Sequence, residues 1–146
     1  MFELLRFKKS KNIVVEFQLG AYYSIKTKDD FDIIRLLDLP GDSYHYQLIA
    51  TNVPEDQSVE SIKNMNPIIL HIPMDIANLL GKDIKRLGND PLTIKDFNGY
   101  VVYLEEMGVE DDAIDEHLKQ LIRFSKEAPQ KMRLYQDKDG VFAEHL

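Results

Sequence analysis

The feature that most constrains how this chain folds is a run near its start with the two-residue period of a β-strand. In residues 12–19, Ile13, Val15, Phe17 and Leu19 share one face, and the residues between them take the other face. Gly20 follows directly and predicts a break or bulge before the strand continues. The chain therefore opens with β-structure.

Other segments have the β-branched and aromatic composition of strands. Residues 8–12 predict a hairpin loop, and Asn98-Gly99 predicts a tight turn because both residues tolerate positive φ. Residues 137–140 predict the turn of a closing hairpin, and residues 67–72 predict a buried strand. Besides residues 12–19, the predicted strands are residues 2–7, 21–26, 44–53, 67–72, 92–95, 100–105, 132–136 and 141–144.

The longest predicted helix runs from about Glu110 to Lys126. Its first turn is acidic and its last turn is basic, which is the arrangement that the helix dipole favours. Apolar residues recur at helical spacing along one side and predict a buried stripe. The stripe consists of Ile114, Leu118, Leu121, Ile122 and Ser125.

Three further helices are predicted from apolar spacing. One begins at Asp75 and ends before Gly88, which suits the position after a helix end. A shorter one follows Asp29 or Asp30 and ends at Pro40, and another lies near residues 58–64. Their inward residues are Ile76, Leu80, Ile84 and Leu87 in the first, Phe31, Ile33, Ile34 and Leu37 in the second, and Val59 and Ile62 in the third.

Strands and helices are mixed without a regular βαβ alternation. This order predicts an α+β fold with a largely antiparallel sheet, two main helices and one or two short ones. The 146 residues contain no internal repeat and no Gly/Ser linker, so we expect one domain over residues 1–146.

Composition excludes several classes of protein. The chain has no cysteine, which excludes disulfides and thiolate chemistry, and 44% of its residues are hydrophobic, which is ordinary for a globular domain. The start of the sequence lacks the pattern of a secretory signal. The longest uncharged apolar stretches are far shorter than a membrane span of about 20 residues. We therefore expect a cytoplasmic protein with no membrane partner.

Motifs for common enzyme and cofactor sites are missing. The seven glycines are scattered, so neither phosphate-binding glycine loop is present, and no Gly-x-Ser-x-Gly elbow occurs. A calcium loop placed on Gly140 would need carboxylates at Tyr135 and Leu146, and therefore fails. We predict no cofactor, no metal site and no catalytic residue.

The four histidines are His45, His71, His117 and His145, and none has the spacing of a helical metal site. His71 lies in an apolar strand and is interpreted as a hydrogen-bonded core residue. His117 lies beside Asp115 and Glu116, so an acid–base site there is the enzyme alternative, and a surface position is the favoured interpretation.

Tyrosines near basic residues raise the possibility of nucleic-acid binding. Tyr22, Tyr23, Tyr44 and Tyr46 lie on predicted strands, and Lys8, Lys9, Lys11 and Lys26 lie near the start of the chain. The net charge of −7 opposes phosphate binding at long range. The tyrosines are therefore interpreted as sheet packing, and nucleic acid is not the expected partner.

Charge is distributed unevenly. Residues 1–28 have a net charge of +4, and the remaining 118 residues have a net charge of −11. Residues 105–116 contain seven carboxylates and no basic residue. Such a run favours solubility, and its functional interpretation is fast association with a basic protein. The candidate partner-binding residues are Glu105, Glu106, Glu110, Asp111, Asp112, Asp115 and Glu116.

Three functional hypotheses follow. The first is a small acidic protein that occludes a basic protein partner, as a bacterial immunity protein does when it neutralises a nuclease-type toxin. The second is an oligomeric adaptor or chaperone-like module, suggested by apolar residues near the termini such as Phe2, Leu4 and Phe142. The third is an enzyme that uses His117 or His71 with carboxylates.

Overall fold

The computed structural model describes residues 12–54 and 57–146 and shows an α+β fold with two antiparallel sheets. The smaller sheet has the strand order β1-β7-β8, and the larger has the order β5-β4-β3-β2-β6. The strands are β1 (Ile13–Phe17), β2 (Ala21–Lys26), β3 (Phe31–Asp38), β4 (Ser43–Val53), β5 (Ile69–Asp75), β6 (Ile84–Asn89), β7 (Gln130–Asp137) and β8 (Gly140–His145).

Two main helices and several short helical turns lie outside the sheets. Within the described residues, no helix is both long and apolar enough to span a membrane. The helices are α1 (Val59–Ile62), α2 (Asn98–Glu106) and α3 (Asp111–Phe124), and the 3-10 turns are Ile76–Leu79 and Ile94–Phe97.

Gly20 separates β1 from β2, which belong to different sheets. Its φ of +85° is a conformation that side-chain-bearing residues rarely adopt, and its amide donates a hydrogen bond to the Leu36 carbonyl at 2.7 Å. A Cβ at this position would lie 2.7 Å from the carbonyl oxygen of Asp90. The predicted break at Gly20 is confirmed.

The larger sheet is covered on both faces. On one face, Tyr23, Ile34 and Leu48 are aligned across β2, β3 and β4 and pack in the main core, which also includes Met132 and Leu134 of the smaller sheet. On the second face, Tyr22, Arg35 and Gln47 are aligned across the same strands. A smaller core on that face consists of Tyr22, Ile33, Ile49 and Ile62.

Helix α3 matches the longest predicted helix. Ile114, Leu118 and Leu121 are buried, as the apolar spacing predicts. Ser125 ends the stripe in the core, where its hydroxyl donates to the Ile122 carbonyl at 2.6 Å and accepts from the Leu92 amide at 3.1 Å. The hydroxyl thereby fixes the end of α3 against the loop after β6.

The helix predicted after Asp29 is wrong, because residues 31–38 form strand β3. This strand lies in the middle of the larger sheet, and six of its eight residues are buried. A strand that is covered on both faces loses its alternation. Asp32 and Arg35 lie three residues apart, which is also the spacing of polar residues along one face of a helix.

The helix predicted from Asp75 to Leu87 is also wrong. Asp75 does cap a helical turn by accepting from the Ala77 amide at 2.8 Å, but the turn ends at Leu79 and Gly81 has a φ of +77°. Strand β6 follows, and its pairing with β2 contains a register shift. Alternation along the strand places Ile84 against the main core and Leu87 against the smaller one, so their three-residue spacing is not helical.

The strands predicted at residues 92–95 and 100–105 are wrong as well. Residues 92–95 lead into the 3-10 turn at Ile94–Phe97, and residues 100–105 belong to helix α2. Asn98-Gly99 begins this helix instead of a hairpin turn. A Cβ on Gly99 would lie 2.7 Å from the Leu70 Cβ, so the glycine lets α2 approach β5 closely.

The other predictions have mixed outcomes. Strands β7 and β8 form the predicted hairpin, with Gly140 at a φ of +137°, and α1 is the short helix predicted near residues 58–64. The strand predicted at residues 67–72 is β5, which is an exposed edge strand and not a buried one. The predicted strand at residues 2–7 and most of the loop after it lie outside the described residues.

Candidate functional site

A cluster of histidines and tyrosines joins α2 and α3 to the larger sheet, and Asp38 lies at its centre. Asp38 ends β3, and only 5% of its surface is exposed. Its Oδ1 accepts from the Leu39 amide at 2.7 Å. Its Oδ2 accepts from the Tyr100 hydroxyl at 2.6 Å and from His117 Nε2 at 2.7 Å. One carboxylate thus binds both helices.

His45 and His71 complete this cluster. His45 Nδ1 and His71 Nε2 lie 2.8 Å apart on neighbouring strands, so a proton on one ring donates to the other ring. The two imidazoles stack with an interplanar angle of 11°. Tyr100 and Tyr103, one turn apart on α2, contact both rings at centroid distances of 4.7–5.5 Å. We name Asp38, His45, His71, Tyr100, Tyr103 and His117 the polar cluster.

Burial changes the protonation of the polar cluster. It lowers the pKa of His71 from 6.5 to about 4, and the nearby His45 adds to this shift. Burial also lowers the pKa of His45, although the charge of Asp38 opposes the shift. Burial and the charge of Asp38 raise the pKa of Tyr100. Both histidines of the pair are therefore neutral at pH 7.

These shifts predict a loss of stability in mild acid. Between pH 6.5 and about 4 the unfolded chain binds a proton at position 71 that the folded chain does not bind, so the free energy of unfolding falls as the pH falls. Because the ring is partly exposed to water, we expect a loss of about 1–2 kcal/mol. Urea unfolding at a series of pH values measures it.

A His71→Phe variant is the control for this measurement, because it keeps an aromatic ring and removes the titrating group. The variant changes no other residue, so the difference between the two pH profiles isolates position 71. We expect a shallower slope between pH 6.5 and 4 in the variant. Equal slopes would contradict the argument.

His117 contacts a different carboxylate from the ones next to it in the sequence. Its Nε2 binds Asp38, which is distant in the sequence, and does not bind Asp115 or Glu116 as the enzyme alternative expects. Among the described residues, no group of three or more His, Asp or Glu side chains could hold a metal ion. The hydrogen bonds of Asp38 connect α2 and α3 to the larger sheet.

The seven predicted partner-binding carboxylates lie on the two helices that the polar cluster holds. Glu105 and Glu106 are in the last turn of α2, Glu110 is the N-cap of α3, and the others lie in the first two turns of α3. All seven are exposed. Among the described residues, no Lys or Arg nitrogen lies within 4 Å of them, and Lys119, four residues after Asp115, does not pair with it. We name these seven residues the acidic surface.

Two apolar side chains lie beside these carboxylates. Val102 on α2 is 53% exposed, and Met107 in the turn between the helices is 66% exposed. Val102 precedes Glu106 by four residues and therefore shares its helical face. The sequence analysis missed both residues, because Val102 was assigned to a strand and Met107 to a connection.

The other residues considered from the sequence are the tyrosines, the lysines near the start of the chain and the apolar residues near the termini. Tyr22, Tyr23 and Tyr44 are buried, so they present no ring face to a nucleic-acid base. Phe142 is half-buried and contacts Tyr135 with a centroid distance of 5.5 Å. Phe2, Leu4, Lys8, Lys9 and Lys11 lie outside the described residues.

The acidic surface is thus a candidate site predicted from the sequence. Its carboxylates are exposed and make no ion pair with a described residue, and the helices that present them are fixed to the sheet through Asp38. Comparisons with protein-family models, with curated proteins and with solved structures found no match.

Proposed function

We propose that this protein binds and occludes a basic protein partner through the acidic surface. The observation that carries the proposal is the set of seven exposed carboxylates without an ion pair to any described residue. Unpaired like charges repel one another, so attraction between these residues does not explain why they lie together. Against a basic surface, the same charges accelerate association and select the partner.

The rigidity of the support favours the same function. Tyr100 of α2 and His117 of α3 bind the same oxygen of Asp38, so the two helices are fixed relative to the sheet. A preorganised surface loses little conformational entropy when it binds. The exposed carboxylates therefore need no ordering of the backbone before they meet a partner.

The neighbouring apolar residues also support an interface. Protein interfaces combine apolar anchors with a polar rim, and methionine is enriched in them. Val102 and Met107 are exposed beside Glu105 and Glu106 and provide such anchors. Exposed Val and Met side chains do not increase solubility, so solubility alone does not explain this patch.

The partner class follows from the charge. A nuclease-type toxin has a basic surface because it binds the phosphates of nucleic acid. An acidic protein that covers this surface competes with the substrate and neutralises the toxin. We therefore propose a role of the immunity-protein type, with a basic nuclease-type domain as the partner.

The test measures binding to a basic nuclease-type domain encoded beside the gene for this chain. Calorimetry at 50 and 200 mM salt is expected to show at least tenfold weaker binding at the higher concentration, because the interaction is between opposite charges. The double variant Asp112→Lys/Glu116→Lys reverses two carboxylates four residues apart on the solvent face of α3. We expect it to raise Kd about 100-fold.

A matched control makes the same charge change elsewhere. Asp29→Lys/Asp139→Lys reverses two exposed aspartates in turns outside the acidic surface. We expect less than a fivefold change in Kd for this control. A Kd that is independent of salt, or equal losses in the two double variants, would refute the proposal.

A second candidate function is β-strand addition, in which a segment of another chain pairs with an edge strand, as in an adaptor or chaperone-like module. Its support is the edge strand β5 and the preceding residues, where Ile68, Ile69 and Leu70 are exposed. An apolar edge strand is a template for pairing with another strand. A strictly monomeric protein in sedimentation at high concentration would contradict homo-oligomers formed this way.

A further inference from the structure

A cleft lies on the second face of the larger sheet. It opens between the segment that follows α1 and the turn at Ile94–Phe97. Its volume is about 430 Å³, which is within the range of small-molecule sites. None of the residues that line it belongs to the acidic surface.

The floor of the cleft is rigid. Tyr22, Arg35 and Gln47 are aligned across three strands, and all three are buried. The Arg35 guanidinium carbon lies 5.0 Å from the centre of the Tyr22 ring. Gln47 Nε2 donates to the Asp96 carbonyl at 3.0 Å. A floor that is held in this way is already formed before a ligand arrives.

Basic side chains outnumber carboxylates among the described residues that line the cleft, although the protein is acidic. Arg35, Lys63 and Lys95 line it, and Asp96 is the only carboxylate among these described residues. Asp96 is already neutralised, since Oδ1 binds Arg35 at 2.9 Å and Oδ2 accepts from the Thr93 amide at 2.8 Å. Within the described part of the chain, Lys95 has no ion-pair partner, while Lys63 pairs with the exposed Glu60.

One wall of the cleft is apolar and exposed. Leu70 is 51% exposed, and Met65 and Pro67 lie beside it in the lining. Asn64 and Asn98 add amide groups that donate and accept hydrogen bonds. The cleft therefore combines an apolar wall, amides and an unpaired cation.

We propose that this cleft binds a small organic anion with an apolar body. The anionic group, a carboxylate, sulfonate or phosphate, lies beside Lys95, whose ammonium group attracts it. The apolar body covers Leu70 and Met65 and removes their side chains from water. The Asn64 and Asn98 amides bind polar atoms of the ligand and fix its orientation.

The experiment uses a matched pair of probes. One is 8-anilinonaphthalene-1-sulfonate, and the other is N-phenyl-1-naphthylamine, which has the same aromatic body without the sulfonate. Fluorescence titration of the folded protein is expected to give at least tenfold tighter binding of the sulfonate. Nuclear magnetic resonance is expected to show shifts of the Asn64 and Asn98 side-chain amides when the sulfonate is added. Equal binding of the two probes would overturn the proposal.

Charge reversal identifies the site. Lys95→Glu is expected to weaken sulfonate binding about tenfold, because two units of charge change close to the anion. Lys138→Glu makes the same change in the exposed β7–β8 turn and is expected to alter the affinity less than twofold. Equal effects of the two variants, or shifts confined to residues near Met107, would place the anion elsewhere and refute the proposal. Unchanged unfolding curves verify that each variant is folded.

Discussion

Asp38→Ala is expected to lower the free energy of unfolding by about 3–4 kcal/mol. The carboxylate accepts hydrogen bonds from the Leu39 amide, the Tyr100 hydroxyl and His117 Nε2. Removing it leaves these donors without an acceptor, and the Tyr100 hydroxyl is buried where water cannot replace it. A buried donor left unpaired costs about 1–3 kcal/mol, and hydrogen bonds to charged groups are at the stronger end.

Two companion variants separate the contributions to this loss. Tyr100→Phe removes one donor together with its hydroxyl, so nothing is left unpaired on the helix and we expect a smaller loss of about 1–2 kcal/mol. Asp38→Asn keeps an acceptor oxygen and removes the charge, and its loss is expected to lie between the two. Urea unfolding followed by circular dichroism measures all three. A loss below 1 kcal/mol for Asp38→Ala would show that the polar cluster does not hold the helices.

The predictions from sequence succeeded where one face of an element is buried. β1 and α3 each have one buried and one exposed side, so their periods can be read directly. The same reading failed at β3, because a central strand is covered on both faces and contains the buried Arg35. Local period cannot distinguish such a strand from a buried helix.

Helix α2 shows a different limit. Its residues Val101 and Val102 are β-branched and favour a strand on local propensity. The helix forms because Gly99 allows it to approach β5 closely and Tyr100 reaches Asp38. These are tertiary contacts over a sequence separation of up to 62 residues, and propensity does not report them.

The acidic surface and the polar cluster differ in how far they could be predicted from the sequence. The acidic surface is contiguous in sequence, so its charge could be found without a structure. The polar cluster combines residues of β3, β4, β5, α2 and α3, and a pattern in the sequence cannot bring them together. The proposed binding function thus rests on two parts of different origin, a local charge pattern and a non-local support that holds it in place.

Arg35→Leu is expected to destabilise the protein by about 3–5 kcal/mol, although leucine is apolar and the site is buried. The guanidinium binds Asp96 at 2.9 Å through Nη1, donates to the Asp90 carbonyl at 2.7 Å through Nη2, and donates to the Gly20 carbonyl at 3.2 Å through Nε. Removing one partner of a buried ion pair costs about this amount, because the other groups remain without a counterpart.

Arg35→Lys separates the charge of this side chain from its geometry. Lysine keeps the positive charge but lacks the planar donor set that reaches Gly20, Asp90 and Asp96 together, so we expect a loss of about 2–3 kcal/mol, between wild type and Arg35→Leu. Hydrogen exchange is expected to be faster at the amides of Gly20 and Asp90 in both variants, since the loops after β1 and β6 lose their common anchor. If Arg35→Leu is as stable as wild type, the guanidinium is not what joins these loops to the sheet.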